Sequence, residues 1–198
     1  MISYNAGRKR FVLPVIFSSL LLSAFPLHAE ERIDVHQRDA MKLVKQFAGG
    51  LKPHLEKAMQ EGGPLQAIEV CSRQAPAIAQ SLSDESGWIV KRVSLKARNN
   101  KTAVADEWET EVLQQFDQRQ QGGEDAASIT YSESVGGYYR FMKAQAVEPV
   151  CLACHGQTIA PEVVDLLDQK YPDDIARGYK IGQIRGAFSL SKRLWKSL

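Results

Sequence analysis

Two cysteines and a histidine stand close together in the segment Cys151-Leu152-Ala153-Cys154-His155. Two cysteines separated by two residues, with a histidine directly after the second, form the attachment sequence for c-type haem. Within one turn of chain the two thiols can reach the two vinyl groups of the porphyrin, and the imidazole that follows then lies beneath the iron. The spacing therefore predicts one covalent haem c, joined through Cys151 and Cys154, with His155 as an iron ligand.

Other kinds of site use the same residue types. A Cys-x-x-Cys pair can form a redox disulfide, but that chemistry does not need the adjacent histidine, and the residues before Cys151 lack the strand-to-helix pattern of a thioredoxin-like protein. A structural zinc-binding domain could use Cys71 with the two motif cysteines and His155, although consecutive side chains such as Cys154 and His155 rarely point at one tetrahedral ion. An iron–sulfur cluster needs four thiolates, and the chain has three cysteines.

The sixth position on the iron has more than one candidate. Cys71 is the cysteine that haem attachment leaves over, and its thiolate would bind ferric iron strongly, but a free cysteine also packs well as a small apolar residue. Met142 lies nine residues before Cys151 in a predicted strand and is the main rival. The remaining candidates have ordinary places near the mature N-terminus, on the surface or in the core: His36, His54, Met41 and Met59. Spacing alone leaves the ligand open.

Residues 1–29 follow the plan of a secretory signal, with three basic residues, an apolar run Phe11–Phe25 and a short stretch that ends at Ala29. The alternative is an uncleaved anchor. At 15 residues broken by Pro14, however, the run is shorter than the roughly 20 apolar residues that a spanning helix needs. We therefore expect cleavage after Ala29, export to the periplasm, and a single mature domain over residues 30–198.

Length and charge exclude several classes of protein. With 198 residues, 44% of them hydrophobic, the chain suits one globular domain. Removing the signal takes three of the 25 basic residues and none of the 23 acidic ones, which leaves a net charge of −1 and argues against a nucleic-acid binder. No nucleophile motif is present, and the pair Asp173-Asp174 is most simply a turn, so we expect no enzyme.

The predicted elements place helices first and strands mostly late. Cys71 falls on the buried stripe of the second helix, after the turn Gly62-Gly63-Pro64. The first helix is expected to bend or break in its middle, near Gly49, Gly50 and Pro53. This order favours an α+β fold with an antiparallel sheet and N-terminal helices packed on it. The elements are helices over 37–59, 68–82 and 105–116, a short helix from Pro161, and strands over 88–95, 138–146 and 181–190.

Six segments spread over nearly the whole mature chain carry a further signal. They are Ala67–Ala79, Arg92–Asn99, Asp106–Glu109, Cys151–Gly156, Tyr171–Asp174 and Gly182–Phe188. Together they resemble a family of exported single-haem c-type domains that was long catalogued as a domain of unknown function. The resemblance implies a PAS-like fold, with His155 and Cys71 as the two axial ligands. The chain departs from the family pattern at residues 99–102, where relatives usually carry prolines.

Four arginines are candidate partners for the two haem propionates, because a guanidinium matches a carboxylate in a two-bonded fork. They are Arg92, Arg98, Arg140 and Arg185. The sequence singles out none of them.

A thiolate opposite a histidine is expected to give the iron a low reduction potential. One expectation is therefore a low-potential electron carrier or redox partner. The other is a sensor of redox state or of a diatomic gas, in which Cys71 leaves the iron and shifts the fold between two states. Either role needs a separate redox or signalling protein as its partner.

Overall fold

The computed structural model describes Met1 and residues 34–194. The chain divides into two units, Met1–Arg32 and Ile33–Leu198, and the elements below belong to the second. The predicted signal peptide and its cleavage after Ala29 lie outside the described residues. Among the helices of the described part, none is long and apolar enough to cross a membrane.

Helix α1 spans Val35–Ser86 and is broken at Gly63, whose φ of 67° and ψ of −160° are not helical. Glycine adopts this left-handed backbone without the steric cost of a Cβ atom, so the predicted turn Gly62-Gly63-Pro64 separates two helical halves. The break that was one of the two outcomes expected near Pro53 is not found, since the backbone stays helical there. Pro53 is exposed, and water can therefore satisfy the carbonyl that loses its amide donor.

Four antiparallel strands form one sheet in the order β1-β4-β3-β2. They are β1 Ile89–Val93, β2 Thr130–Val135, β3 Tyr138–Ala146 and β4 Ile184–Arg193. Strand β2 escaped prediction because it is a polar edge strand without an apolar alternation. The strand predicted from residue 181 begins later, at Ile184, because residues 181–183 form the turn that leads into it.

Three further helices complete the unit: α2 Glu107–Gln121, α3 Leu152–His155 and α4 Pro161–Lys170. A capping box starts α2, in which the side chains of Asp106 and Glu109 each accept a hydrogen bond from the backbone N–H of the other. A 3-10 turn over Pro149–Cys151 runs directly into α3. The cysteine motif therefore lies on one short helical stretch.

Apolar side chains pack on both faces of the sheet. On one face, residues from both halves of α1 pack with strand residues, among them Leu43, Phe47, Ala75, Phe141 and Leu190. On the other face, α2 packs against the sheet through a second cluster that includes Val112, Phe116, Met142 and Ala144. The predicted α+β arrangement, with helices packed on an antiparallel sheet, is confirmed.

Candidate functional site

A cavity of about 420 Å³ opens beside α1, β1 and the cysteine motif. All four residues that the sequence analysis selected line it: Cys71, Cys151, Cys154 and His155. Much of the remaining wall is apolar and comes from α1 and α4, including Phe47, Leu51, Leu55, Ile68 and Leu167. Its volume lies within the range of about 300–1,000 Å³ that is usual for cofactor and ligand sites.

Cys71 reaches the cavity from the second half of α1. It is half-buried rather than fully buried, because its stripe faces the cavity at this point and the core elsewhere. Burial raises the pKa of the Cys71 thiol, and the positive charges of Arg92, Arg185 and Arg98 oppose that rise. Without a metal, burial thus favours the neutral thiol over the thiolate.

Cys151 and Cys154 are unpaired thiols that lie three residues apart on the short helical stretch. The stretch ends where the backbone N–H of Gly156 donates to the carbonyl of Leu152 at 3.0 Å. A Cβ atom at Gly156 would lie 2.6 Å from that carbonyl oxygen. Glycine therefore lets the chain pass this close to the Leu152 carbonyl as it leaves the helix. The local sequence therefore places both sulfurs on one turn and then directs the chain away.

His155 is oriented by a hydrogen bond to the backbone. Its Nδ1 lies 2.8 Å from the carbonyl oxygen of Ala176, which can only accept, so the proton belongs on Nδ1 and the lone pair of Nε2 is free. Burial lowers the pKa of His155 to about 2, and the nearby Arg185 and Arg98 add to the effect. The imidazole is therefore neutral, as a metal ligand must be.

Arg98 and Asp174 hold the loop that carries Ala176. The Nη2 of Arg98 donates to the carbonyl of Cys154, and its Nε lies 3.2 Å from the fully buried carboxylate of Asp174. That carboxylate also accepts from the backbone N–H of Ala176 at 2.9 Å and from Nε of Arg177 at 3.0 Å. The interpretation of Asp174 as a simple turn residue was incomplete, because its carboxylate also pairs with Arg98, which is remote in sequence, and with Arg177.

The other candidate arginines separate into two groups. Arg140 lies on the far face of the sheet, where it pairs with Asp106 at 2.6 Å and sits 4.1 Å from the centre of the Trp108 ring. It is therefore not available to the cavity. Arg92 and Arg185 both line the cavity.

The rival ligand Met142 is not among the residues that line this cavity. Successive residues of a strand point to opposite faces, so Phe141 packs towards α1 while Met142 is fully buried towards α2.

Met59, which was expected in the core, lines the cavity instead.

The other two candidate histidines, His36 and His54, lie elsewhere. His36 was expected near a frayed end, yet it packs against Tyr139, with the two ring centres 5.1 Å apart. His54 is exposed, with its Nδ1 2.8 Å from the carbonyl of Gly50. Neither is among the residues that line the cavity.

The alternative set of zinc ligands is not assembled among the described residues. Within residues 34–194, no three side chains of His, Cys, Asp or Glu approach closely enough to share one metal ion. A wide, flat cofactor would keep a ligand on each of its faces apart, whereas a tetrahedral zinc ion would need the four side chains to converge. The candidate ligands are spread around one cavity: Cys71, the motif cysteines and His155. This arrangement therefore suits a wide, flat cofactor better than a zinc ion.

Comparison with known proteins identifies the family. A solved structure, titled the crystal structure of the cyanobacterial heme-protein Tll0287, matches 82% of this chain and 98% of its own, with a TM-score of 0.65 and 21% identity. At that identity the likeness shows the fold, and the predicted PAS-like α+β class is confirmed. The curated proteins contain no match. The family model described as Tll0287-like matches residues 26–192, and the chain therefore belongs to the Tll0287-like family.

Proposed function

We propose that this protein is an exported carrier of one haem c, bound in the cavity through Cys151 and Cys154, with His155 and Cys71 as the axial ligands. The observation that carries the proposal is that these four residues, 84 positions apart at the extremes, line one largely apolar cavity. The similar cyanobacterial protein is a heme-protein by its title. The signal-like residues 1–29 support a periplasmic location, where c-type haem is attached.

The side chains fit covalent attachment. Each thiol would add across one vinyl group, so that an S–H bond breaks, a C–S bond forms and the proton moves to the neighbouring vinyl carbon. This addition needs neither an oxidant nor a reductant. Both thiols are unpaired, as the reaction requires, and the free Nε2 of His155 is the atom that can bind iron.

Haem would supply an iron that gains and loses one electron. A thiolate from Cys71 stabilises the ferric state, and the hydrogen bond from His155 to Ala176 increases the basicity of the imidazole in the same direction. Apolar walls from α1 and α4 keep water away. With both axial positions taken, the iron offers no place to a substrate, so we propose electron transfer at low potential rather than enzymatic turnover.

A redox or gas sensor is the second candidate, and the setting of Cys71 favours it. Burial raises the pKa of this thiol, so protonation and release become easier once ferrous iron binds the sulfur less strongly. Pro76 lies inside α1 five residues later and removes the amide donor for the carbonyl of Ser72. The helix beside the ligand is therefore less firmly held than a regular one.

The experiment is expression with a c-type maturation system, followed by absorption and electron spin resonance spectra of the ferric and ferrous forms. We expect covalently bound, low-spin haem with thiolate features that disappear in Cys71→Ser and persist in Met59→Leu. Absence of covalent haem would refute the proposal. An unchanged Cys71→Ser spectrum would remove Cys71 as a ligand, and carbon monoxide binding to the ferrous wild type would favour the sensor.

Export is tested separately, by determining the N-terminus of the protein recovered from the periplasm. We expect it to start at Glu30. A protein that retains residues 1–29 in the membrane fraction would show that they serve as an anchor instead.

A further inference from the structure

Two arginines of the cavity, Arg92 and Arg185, differ from the others in their charge partners. Among the described residues, neither Arg92 nor Arg185 forms an ion pair with a carboxylate, although both line the cavity. The Nε of Arg185 is buried without a hydrogen-bond partner, and the guanidinium of Arg92 lies over the Phe47 ring at 5.2 Å. A buried cation without an anion is unfavourable, and native proteins rarely leave one.

This lack of partners is not general among the half-buried arginines. Arg98, Arg140 and Arg177 each lie within 4 Å of a carboxylate oxygen, with side chains 17%, 18% and 27% exposed.

Arg92 and Arg185 are also close enough for their positive charges to repel each other. Burial and the charge of Arg185 together lower the pKa of Arg92 to about 10. The unfolded chain would separate the two charges, so the fold brings them together at a free-energy cost.

Their positions are fixed by the sheet. Arg92 belongs to β1 and Arg185 to β4, and these strands pair directly, with Arg92 opposite Phe188. Both guanidiniums are thus held on rigid, neighbouring strands at one side of the cavity. Rigid placement of unpartnered charges is the usual property of a preorganised binding site.

We infer that Arg92 and Arg185 form a carboxylate-binding subsite that receives the two propionates of haem. The inference rests on the proposed function and names the part of the site that recognises the anionic edge of the cofactor. A guanidinium binds a carboxylate through two parallel charge-assisted hydrogen bonds. Bound propionates would also provide the partner that Nε of Arg185 lacks.

The charges of the loaded site support this assignment over one in which the arginines serve the thiolate. Ferric iron carries three positive charges. The two negative charges of the porphyrin ring and the single negative charge of a thiolate ligand would cancel them. The core with Cys71 bound is then neutral, and the two propionates remain as net negative charge. Two unpartnered arginines match them in number.

The test compares ferric haem with haem dimethyl ester, in which both propionates are neutral. Both are titrated into the full chain carrying Cys151→Ala and Cys154→Ala, which keeps His155 and Cys71 and makes affinity measurable. We expect haem to bind at least about tenfold more tightly than the ester. Arg92→Gln combined with Arg185→Gln should abolish this preference. The matched control is Arg73→Gln, an exposed arginine on α1, which should retain it.

Equal affinity for haem and its ester would overturn the subsite. A preference for haem that survives in the Arg92→Gln, Arg185→Gln double variant would overturn it too. Either result would leave the proposed function standing. Should neither ligand bind and the wild type carry no covalent haem, the proposed function itself fails.

A second measurement does not depend on the folding of the Cys→Ala chain. In the covalently loaded protein, resonance Raman bands of propionate bending should shift in Arg92→Gln and in Arg185→Gln, and should shift less in the corresponding lysine variants, which keep the charge. Bands that stay in place in both glutamine variants would overturn the subsite.

Discussion

Replacing Asp174 with asparagine tests whether a buried carboxylate holds the loop that orients His155. The side chain of Asp174 is fully buried and faces two guanidiniums, those of Arg98 at 3.2 Å and Arg177 at 3.0 Å. Asparagine has nearly the same shape, so the substitution removes the charge while changing the volume little. Both arginines would then lose their shared anion.

The size of the effect follows from those contacts. Removing one partner of a buried ion pair costs about 3–5 kcal/mol. Asparagine keeps an oxygen that can accept from the backbone N–H of Ala176, and Arg177 is 27% exposed and therefore partly screened by water. We expect a loss of about 2–3 kcal/mol in the free energy of unfolding. For a chain of this size, that lowers the Tm by roughly 6–9 °C.

The assay is thermal unfolding of the haem-loaded protein, followed by circular dichroism, beside Asp168→Asn. Asp168 also contacts Arg177, but its side chain is 60% exposed, so its loss should cost less than about 1 kcal/mol. In electron spin resonance, Asp174→Asn should also alter the ferric signal because His155 loses its fixed orientation. Equal effects of the two substitutions on stability, with an unchanged ferric signal, would refute the role given to Asp174.

Three further outcomes are expected. Gly156→Ala should destabilise the protein by about 1–3 kcal/mol in urea unfolding, because its Cβ would meet the Leu152 carbonyl oxygen at 2.6 Å; an effect below about 0.5 kcal/mol would show that the turn adapts. Met142→Leu should cost less than about 1.5 kcal/mol and leave the absorption spectrum of the loaded protein unchanged, since Met142 packs towards α2; a changed spectrum would restore it as a ligand. In the haem-free protein, the pKa of His155 is about 2 in the folded state and about 6.5 in the unfolded state. Between these two pH values the unfolded state binds more protons than the folded state. The free energy of unfolding should therefore fall as the pH drops from 7. Urea unfolding at pH 7 and pH 5 should differ by about 2 kcal/mol, and His155→Asn should reduce the difference.

The cysteine motif could be located from the sequence because its chemistry depends on local spacing alone. The same holds for the turn at Gly63, where the residue types dictate the backbone. Cys71 was a different problem. Helical periodicity places it on an inward stripe, but periodicity does not tell which part of that stripe meets the core and which meets a cavity, so the link to His155 came from the family resemblance.

The arginines show why the rest of the site could not be predicted. Arg92, Arg98, Arg140 and Arg185 were equivalent in the sequence. The structure separates them by partners that lie far away along the chain, such as Asp174 for Arg98 and the Trp108 ring for Arg140. Met142 lies outside the cavity for a related reason: closeness to Cys151 in sequence does not fix the face of the strand, which depends on register.

The strand order has a consequence for how the protein assembles. Strand β4 follows the cysteine motif in the chain, yet it lies inside the sheet, between β1 and β3. The sheet therefore cannot close, and Arg185 cannot reach its place, until the chain has been made beyond residue 184. Before that, Cys151 and Cys154 would stand in an incomplete sheet structure, and under the proposed haem attachment they would be open to a maturation enzyme. Insertion of β4 between β1 and β3 would then close the fold around the proposed cofactor as the final step of assembly.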